Sequence, residues 1–98
     1  MLILAGWFQV APEGRDEWLA AREQVILETR AEQGCIEYTM SADSIDPGKV
    51  RYFERWESRA DVEAHVRTMR ARPPRTEHLP VLDREGLIWE AVPTSTSW

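Results

Sequence analysis

Tyr52-Phe53-Glu54-Arg55-Trp56-Glu57-Ser58-Arg59-Ala60-Asp61-Val62-Glu63-Ala64-His65 reads as the end of a strand, a capped turn and the start of a helix. At the two-residue period of a strand, Tyr52, Glu54 and Trp56 share one face, while Arg51, Phe53 and Arg55 share the other. Ser58 with Asp61 three residues later is a capping-box pattern, with Asp in place of the usual Glu or Gln, and it starts a helix near Arg59. Along that helix Val62, His65, Val66 and Met69 recur at i, i+3, i+4 and i+7, so the imidazole falls on the apolar stripe that packs onto a sheet. The stretch therefore aims a tyrosine, a glutamate, a tryptophan and a histidine toward one region. For a lone histidine on such a stripe the ordinary reading is a core residue satisfied by one hydrogen bond; Trp56 and Tyr52 beside it favour a site.

Upstream, Leu2 to Val10 is apolar on both faces, with Leu2, Leu4, Phe8 and Val10 on one and Ile3, Ala5 and Trp7 on the other. Such a strand must be covered twice. Ala11-Pro12-Glu13-Gly14 is a turn, and Asp16 is the expected N-cap of a helix running to about Glu32, with Trp18, Leu19, Ala21, Val25 and Ile26 on its sheet-facing stripe. Gln33-Gly34 supplies the glycine that follows a helix end. Cys35 to Ala42 reads as a second strand with Ile36, Tyr38 and Met40 on one side. Asp46-Pro47-Gly48 joins it as a hairpin to a third strand, Val50 to Glu57. The helix from Arg59 ends near Ala71, before Pro73-Pro74. A short helical turn is expected over Thr76 to Leu82. Arg84-Glu85-Gly86 reads as a turn into a last strand, Leu87 to Val92, with residues 94–98 a tail after a domain of residues 1–93.

The order β-α-β-β-α-β with right-handed crossovers gives an α+β, ferredoxin-like, four-stranded antiparallel sheet with both helices on one face. The other face is then bare and carries large apolar side chains, so a second copy packing sheet to sheet is expected: a homodimer.

Composition bounds the function. The 98 residues make one domain, 43% hydrophobic and 30% charged, which is globular rather than disordered. A net charge of −5 disfavours nucleic acid, whose phosphates are bound by Lys and Arg. No run of about 18 apolar residues suggests a membrane span, and no basic region precedes the first strand, so a cytoplasmic location is expected. A single cysteine, Cys35, rules out an internal disulfide and a Cys-clustered zinc site, and two separated histidines form no recognisable metal motif.

Glu32-Gln33-Gly34-Cys35-Ile36-Glu37-Tyr38 is similar to an E-x-G-C-x-x-Y segment, and Phe53-Glu54-Arg55-Trp56-Glu57-Ser58 followed by Glu63-Ala64-His65 to an E-x-W-E-S…E-A-H segment, of the antibiotic biosynthesis monooxygenase family, quinol monooxygenases included. The resemblance covers nearly the whole chain. It implies a dimeric α+β barrel and a pocket between sheet and helices. In that pocket a flat phenol loses a proton and its electron-rich anion reduces O₂ directly, with no metal, flavin or haem cofactor. On that reading His65 and Trp56 are the catalytic candidates, as base and stacking surface, and Tyr52, Glu54 and Met69 the substrate-binding ones; Glu54 either orients the imidazole or is a structural acceptor. The small aromatic substrate and O₂ are then the partners. The chain departs from anthrone-oxidising and haem-opening relatives, which pair an Asn with the Trp: it contains no Asn, and Tyr52 stands four residues before Trp56 where an anthrone-oxidising relative has its Asn. A haem-binding relative acting through His65 or His78, and a non-catalytic dimer that binds a small aromatic ligand, are the alternatives. His78 itself reads as a surface histidine.

Overall fold

A computed structural model describes residues 1–73 and 78–98. Four strands, β1 (Leu2–Gln9), β2 (Cys35–Ala42), β3 (Lys49–Trp56) and β4 (Asp83–Glu90), form one antiparallel sheet in the order β2-β3-β1-β4. Three helices, α1 (Arg15–Ala20), α2 (Glu23–Arg30) and α3 (Arg59–Arg70), bury Trp18, Val25 and Val62 respectively. This is the ferredoxin-like α+β arrangement.

Register shows which side chains share a face. Trp56 lies opposite Leu2 and Cys35, Glu54 opposite Leu4 and Tyr38, and Tyr52 opposite Gly6 and Met40. These rows form the covered face. Its core divides into a cluster of Leu2, Tyr38, Trp56 and Val62 and another of Val10, Trp18 and Val50, with Met40 packed against both. The opposite face carries Ile3, Ala5 and Trp7, Phe53 opposite Ala5, and Leu87 and Trp89 opposite Ala5 and Ile3. Phe53, Leu87 and Trp89 are exposed in the single chain.

Four local expectations are corrected. The first helix is two helices. A 3-10 turn at Pro12–Gly14 begins the coil early, so Gly14 rather than Asp16 holds the cap position. At Ala21 and Arg22 the coil tightens, the Arg22 amide bonding the Leu19 carbonyl, and the Arg22 guanidinium lies 3.8 Å from the Trp18 ring centroid. On β2 a bulge between Cys35 and Glu37 puts Cys35 against the core and leaves Ile36 exposed. Arg84-Glu85-Gly86 is strand, not turn, and β4 stops at Glu90: Gly86 faces Gly6 across the ladder, and a Cβ on Gly86 would meet the Tyr52 hydroxyl at 2.5 Å. That glycine serves a close approach, not a bend. Of the expected helical turn over Thr76 to Leu82, the first two residues lie outside the described residues, and residues 78–82 form no helix. The capping box at Ser58 forms, its hydroxyl accepting from the Asp61 amide at 3.2 Å and donating to the Asp61 carboxylate at 2.8 Å.

Candidate active site at the junction of β3 and α3

The turn from β3 into α3 brings Trp56 and His65 together. β3 points Trp56 inward, Ser58 caps α3, and His65 follows one turn after the buried Val62. The indole and imidazole centroids are 4.8 Å apart at an interplanar angle of 38°, and the Tyr38 ring meets the imidazole edge-on at 5.5 Å. Trp56 is wholly buried and His65 is 6% exposed.

The indole nitrogen and one imidazole nitrogen of this pair each have a carboxylate partner. The Trp56 indole N–H donates to Glu54 Oε1 at 2.9 Å, and His65 Nδ1 lies 2.7 Å from Glu32 Oε2. The carboxylate on the imidazole is therefore Glu32, two residues past the end of α2, while Glu54 is the acceptor of the indole. Gly34 adopts φ +80, letting the chain turn from Glu32 into β2 within the space left by the Asp61 side chain.

The surroundings are largely buried and acidic, and the titratable groups record it. Burial is the main cause that raises the Glu54 carboxyl above its ordinary value, opposed by the Trp56 hydrogen bond and by His65. Burial, then the charges of Glu54 and Glu32, push the Tyr38 phenol far up. Burial and the same two carboxylates raise the Cys35 thiol, which disfavours a nucleophilic thiolate there.

Of the other candidates, Tyr52 is on the covered face two pleats from Trp56. Its ring stacks on Phe8 at 5.3 Å and its hydroxyl lies 3.5 Å from the Glu85 carbonyl, above Gly6 and Gly86. Burial, then Glu54, raises its phenol. Met69 is half-buried on α3, one turn beyond His65. His78 is exposed and pairs with Glu17 at 2.5 Å. Reasoning from sequence named Trp56, His65 and Glu54 but did not give Glu32 a role, although Glu32 opens the E-x-G-C-x-x-Y segment. Its position at the first residue of that segment was the available signal. Among the described residues no group of three His, Cys, Asp or Glu side chains is arranged to hold a metal ion, and no helix is long and apolar enough to cross a membrane.

The chain is similar to known proteins along most of its length. An uncharacterised Synechocystis protein, sll1783, is 31% identical over 67 residues, which are 68% of this chain and 46% of that protein, so the match spans about half of the relative. YcnE of Bacillus subtilis, provisionally named a monooxygenase, is 26% identical over 68 residues, 69% of this chain and 72% of that protein. Among solved structures, a Deinococcus radiodurans protein described as a candidate antibiotic biosynthesis monooxygenase superposes with a TM-score of 0.81 at 23% identity, covering 100% of this chain and 99% of its own. Rv0793 of Mycobacterium tuberculosis superposes with a TM-score of 0.72 at 24% identity, covering 97% and 98%. Residues 1–75 match the family profile itself, and the chain belongs to the antibiotic biosynthesis monooxygenase family.

Proposed function

We propose that this chain is a cofactor-independent monooxygenase that oxidises a quinol or polycyclic phenol with O₂, using His65 as the base and Trp56 as the aromatic wall. The observation that carries the reading is the imidazole held between the Trp56 indole and a carboxylate at the buried junction of β3 and α3. An imidazole in that setting accepts a phenolic proton, and a low-dielectric wall strengthens its pairing with the phenolate that results. The phenolate is electron-rich enough to reduce O₂; for a hydroquinone, one oxygen atom enters the ring to give a hydroxyquinone and the other leaves as water. Family membership and the provisional name of YcnE support the reaction class.

The same proposal includes a homodimer built through the bare sheet face. Ile3, Trp7, Phe53, Leu87 and Trp89 present apolar surface there, and its arginines are already neutralised within the face, Arg55 by Glu37 and Arg51 by Asp43, both at 2.7 Å. The charges left to desolvate on association then lie toward one end of the face, at Lys49, Asp83 and Glu85.

The test is oxygen uptake with a panel of hydroquinones and anthrones. Uptake above the uncatalysed rate should fall about 100-fold or more in His65→Ala and also fall in Trp56→Phe. Background rates throughout the panel, or full activity in His65→Ala, would overturn the reading.

A further inference from the structure

Two carboxylates reach the Trp56–His65 pair, and their environments differ. Glu54 is 6% exposed and its Oε1 is taken by the indole N–H. Glu32 retains 21% of its side-chain exposure. It lines a cleft of about 300 Å³, between the end of α2 and the outer side of α3, with Asp61, Ala64, His65 and Thr68. The cleft gives that carboxylate water on one side, so its charge can sit beside the core without full desolvation. Its Oε1, in contrast, is buried with no hydrogen-bond partner, so the imidazole is the partner that holds this carboxylate inward.

We infer that Glu32 is the positioning residue of the site: it accepts the Nδ1 proton of neutral His65, fixes that tautomer, and leaves Nε2 as the unprotonated nitrogen that takes the substrate's proton. The inference deepens the monooxygenase reading and rests on it for the identity of the base. In the proton step the phenolic O–H bond breaks, Nε2 takes the proton, and the imidazolium is held by the Glu32 carboxylate on its other nitrogen. The proton is returned to the oxygen atom that leaves as water, so the histidine ends each turnover as it began. The remaining titratable groups around the ring are Tyr38 and Cys35 on β2 and Glu54 on β3, all with raised values that favour their neutral forms, and Asp61 across the cleft. None of these is at hydrogen-bond distance from Nδ1 in place of Glu32 among the described residues.

The test is ¹⁵N NMR of the His65 imidazole in the full chain, assigned with His65→Ala, in wild type, Glu32→Gln and Glu32→Leu. Neutral wild-type His65 should be the Nδ1–H tautomer. Glu32→Leu should raise the ratio of Nε2–H to Nδ1–H about tenfold or more, the loss expected for a charge-assisted hydrogen bond, with Glu32→Gln in between. If Glu32→Leu does not fold, Glu32→Gln alone decides. A tautomer ratio unchanged in the folded variants overturns the assignment. Oxygen uptake separates this from the reading beneath it. With an active substrate, Glu32→Gln should lower kcat about tenfold while KM changes less than about threefold, and an unchanged kcat overturns the positioning role. Absence of uptake in wild type overturns the oxygenase reading alone, because the tautomer measurement needs no substrate.

Discussion

The indole N–H of Trp56 is bonded to the carboxyl of Glu54, its neighbour two residues back on the same strand face, at 2.9 Å inside the core. A strand normally spends such i, i+2 neighbours on separate partners; here one side chain of β3 satisfies another. Two substitutions separate the two aspects of that contact. Glu54→Gln keeps an acceptor and removes the ionisable group, whereas Glu54→Leu leaves the indole N–H buried without a partner. Glu54→Leu should be less stable than Glu54→Gln by about 1–3 kcal/mol, measured by urea unfolding. The pH dependence has a definite sign. The native carboxyl is raised above 4.5, so the native state holds its proton more tightly than the unfolded chain does. The stability this contributes is complete below about that value and is lost as pH rises through the native one. Wild type should therefore lose ground to Glu54→Gln between pH 4.5 and neutrality, and a difference flat across that range would contradict the assignment.

At the far end of β3 the linkage runs the other way. Asp43 accepts the amides of Asp46 and Ile45 at 2.8 and 3.1 Å and the Arg51 side chain at 2.7 Å, and these bonds, the Asp46 amide first, hold its carboxyl well below the usual range. Its contribution is present above about pH 3.8 and lost as pH falls toward the native value. Asp43→Asn should be less stable than wild type near neutrality, with the gap closing in acid. Thermal melts at pH 7 and at successively lower pH read this directly, and a gap that persists at the acid limit would remove the charge from the explanation.

Gly86 and Gly6 make different demands. A Cβ on Gly86 meets the Tyr52 hydroxyl at 2.5 Å and otherwise only Tyr52 Cζ at 3.9 Å, while one on Gly6 collides with the Glu85 backbone carbonyl as well. Both Gly→Ala variants should lose about 1–3 kcal/mol by overpacking. Adding Tyr52→Phe should restore much of the loss for Gly86→Ala and little for Gly6→Ala. Equal rescue of the two in a double-mutant comparison would show that the backbone contact is not limiting.

Phe53 lies between Ala5 and Thr39 in the middle of the bare face. Light scattering should give wild type twice the mass of one chain. Phe53→Glu should give the mass of one chain, with a folded far-UV spectrum retained. A wild-type mass equal to one chain at micromolar concentration would remove the dimer from the proposal.

The alternation Tyr52-Phe53-Glu54-Arg55-Trp56 made both faces of β3 legible, because a two-residue period is a local property that no tertiary contact needs to supply. The Ser58 cap and the Val62-His65-Val66 stripe were legible for the same reason. Glu32 and His65, in contrast, are 33 residues apart, and their meeting depends on how the end of α2 lies against α3, which no periodicity encodes. The row Tyr52-Gly6-Gly86 was also hidden: Gly86 reads as a bend when seen alone and becomes a strand residue only once its partner across the ladder is known. The break after Ala20 escaped because the apolar stripe runs through Ala21 without interruption.

Trp56 has no surface open to solvent and His65 has almost none. A ligand that stacks on that indole must wait for side chains of α3 or its neighbours to swing aside, so its arrival is governed by the opening frequency of the protein rather than by collision. Observed association rates should level off as ligand concentration rises, and the plateau would be a property of the chain, the same for every substrate that fits.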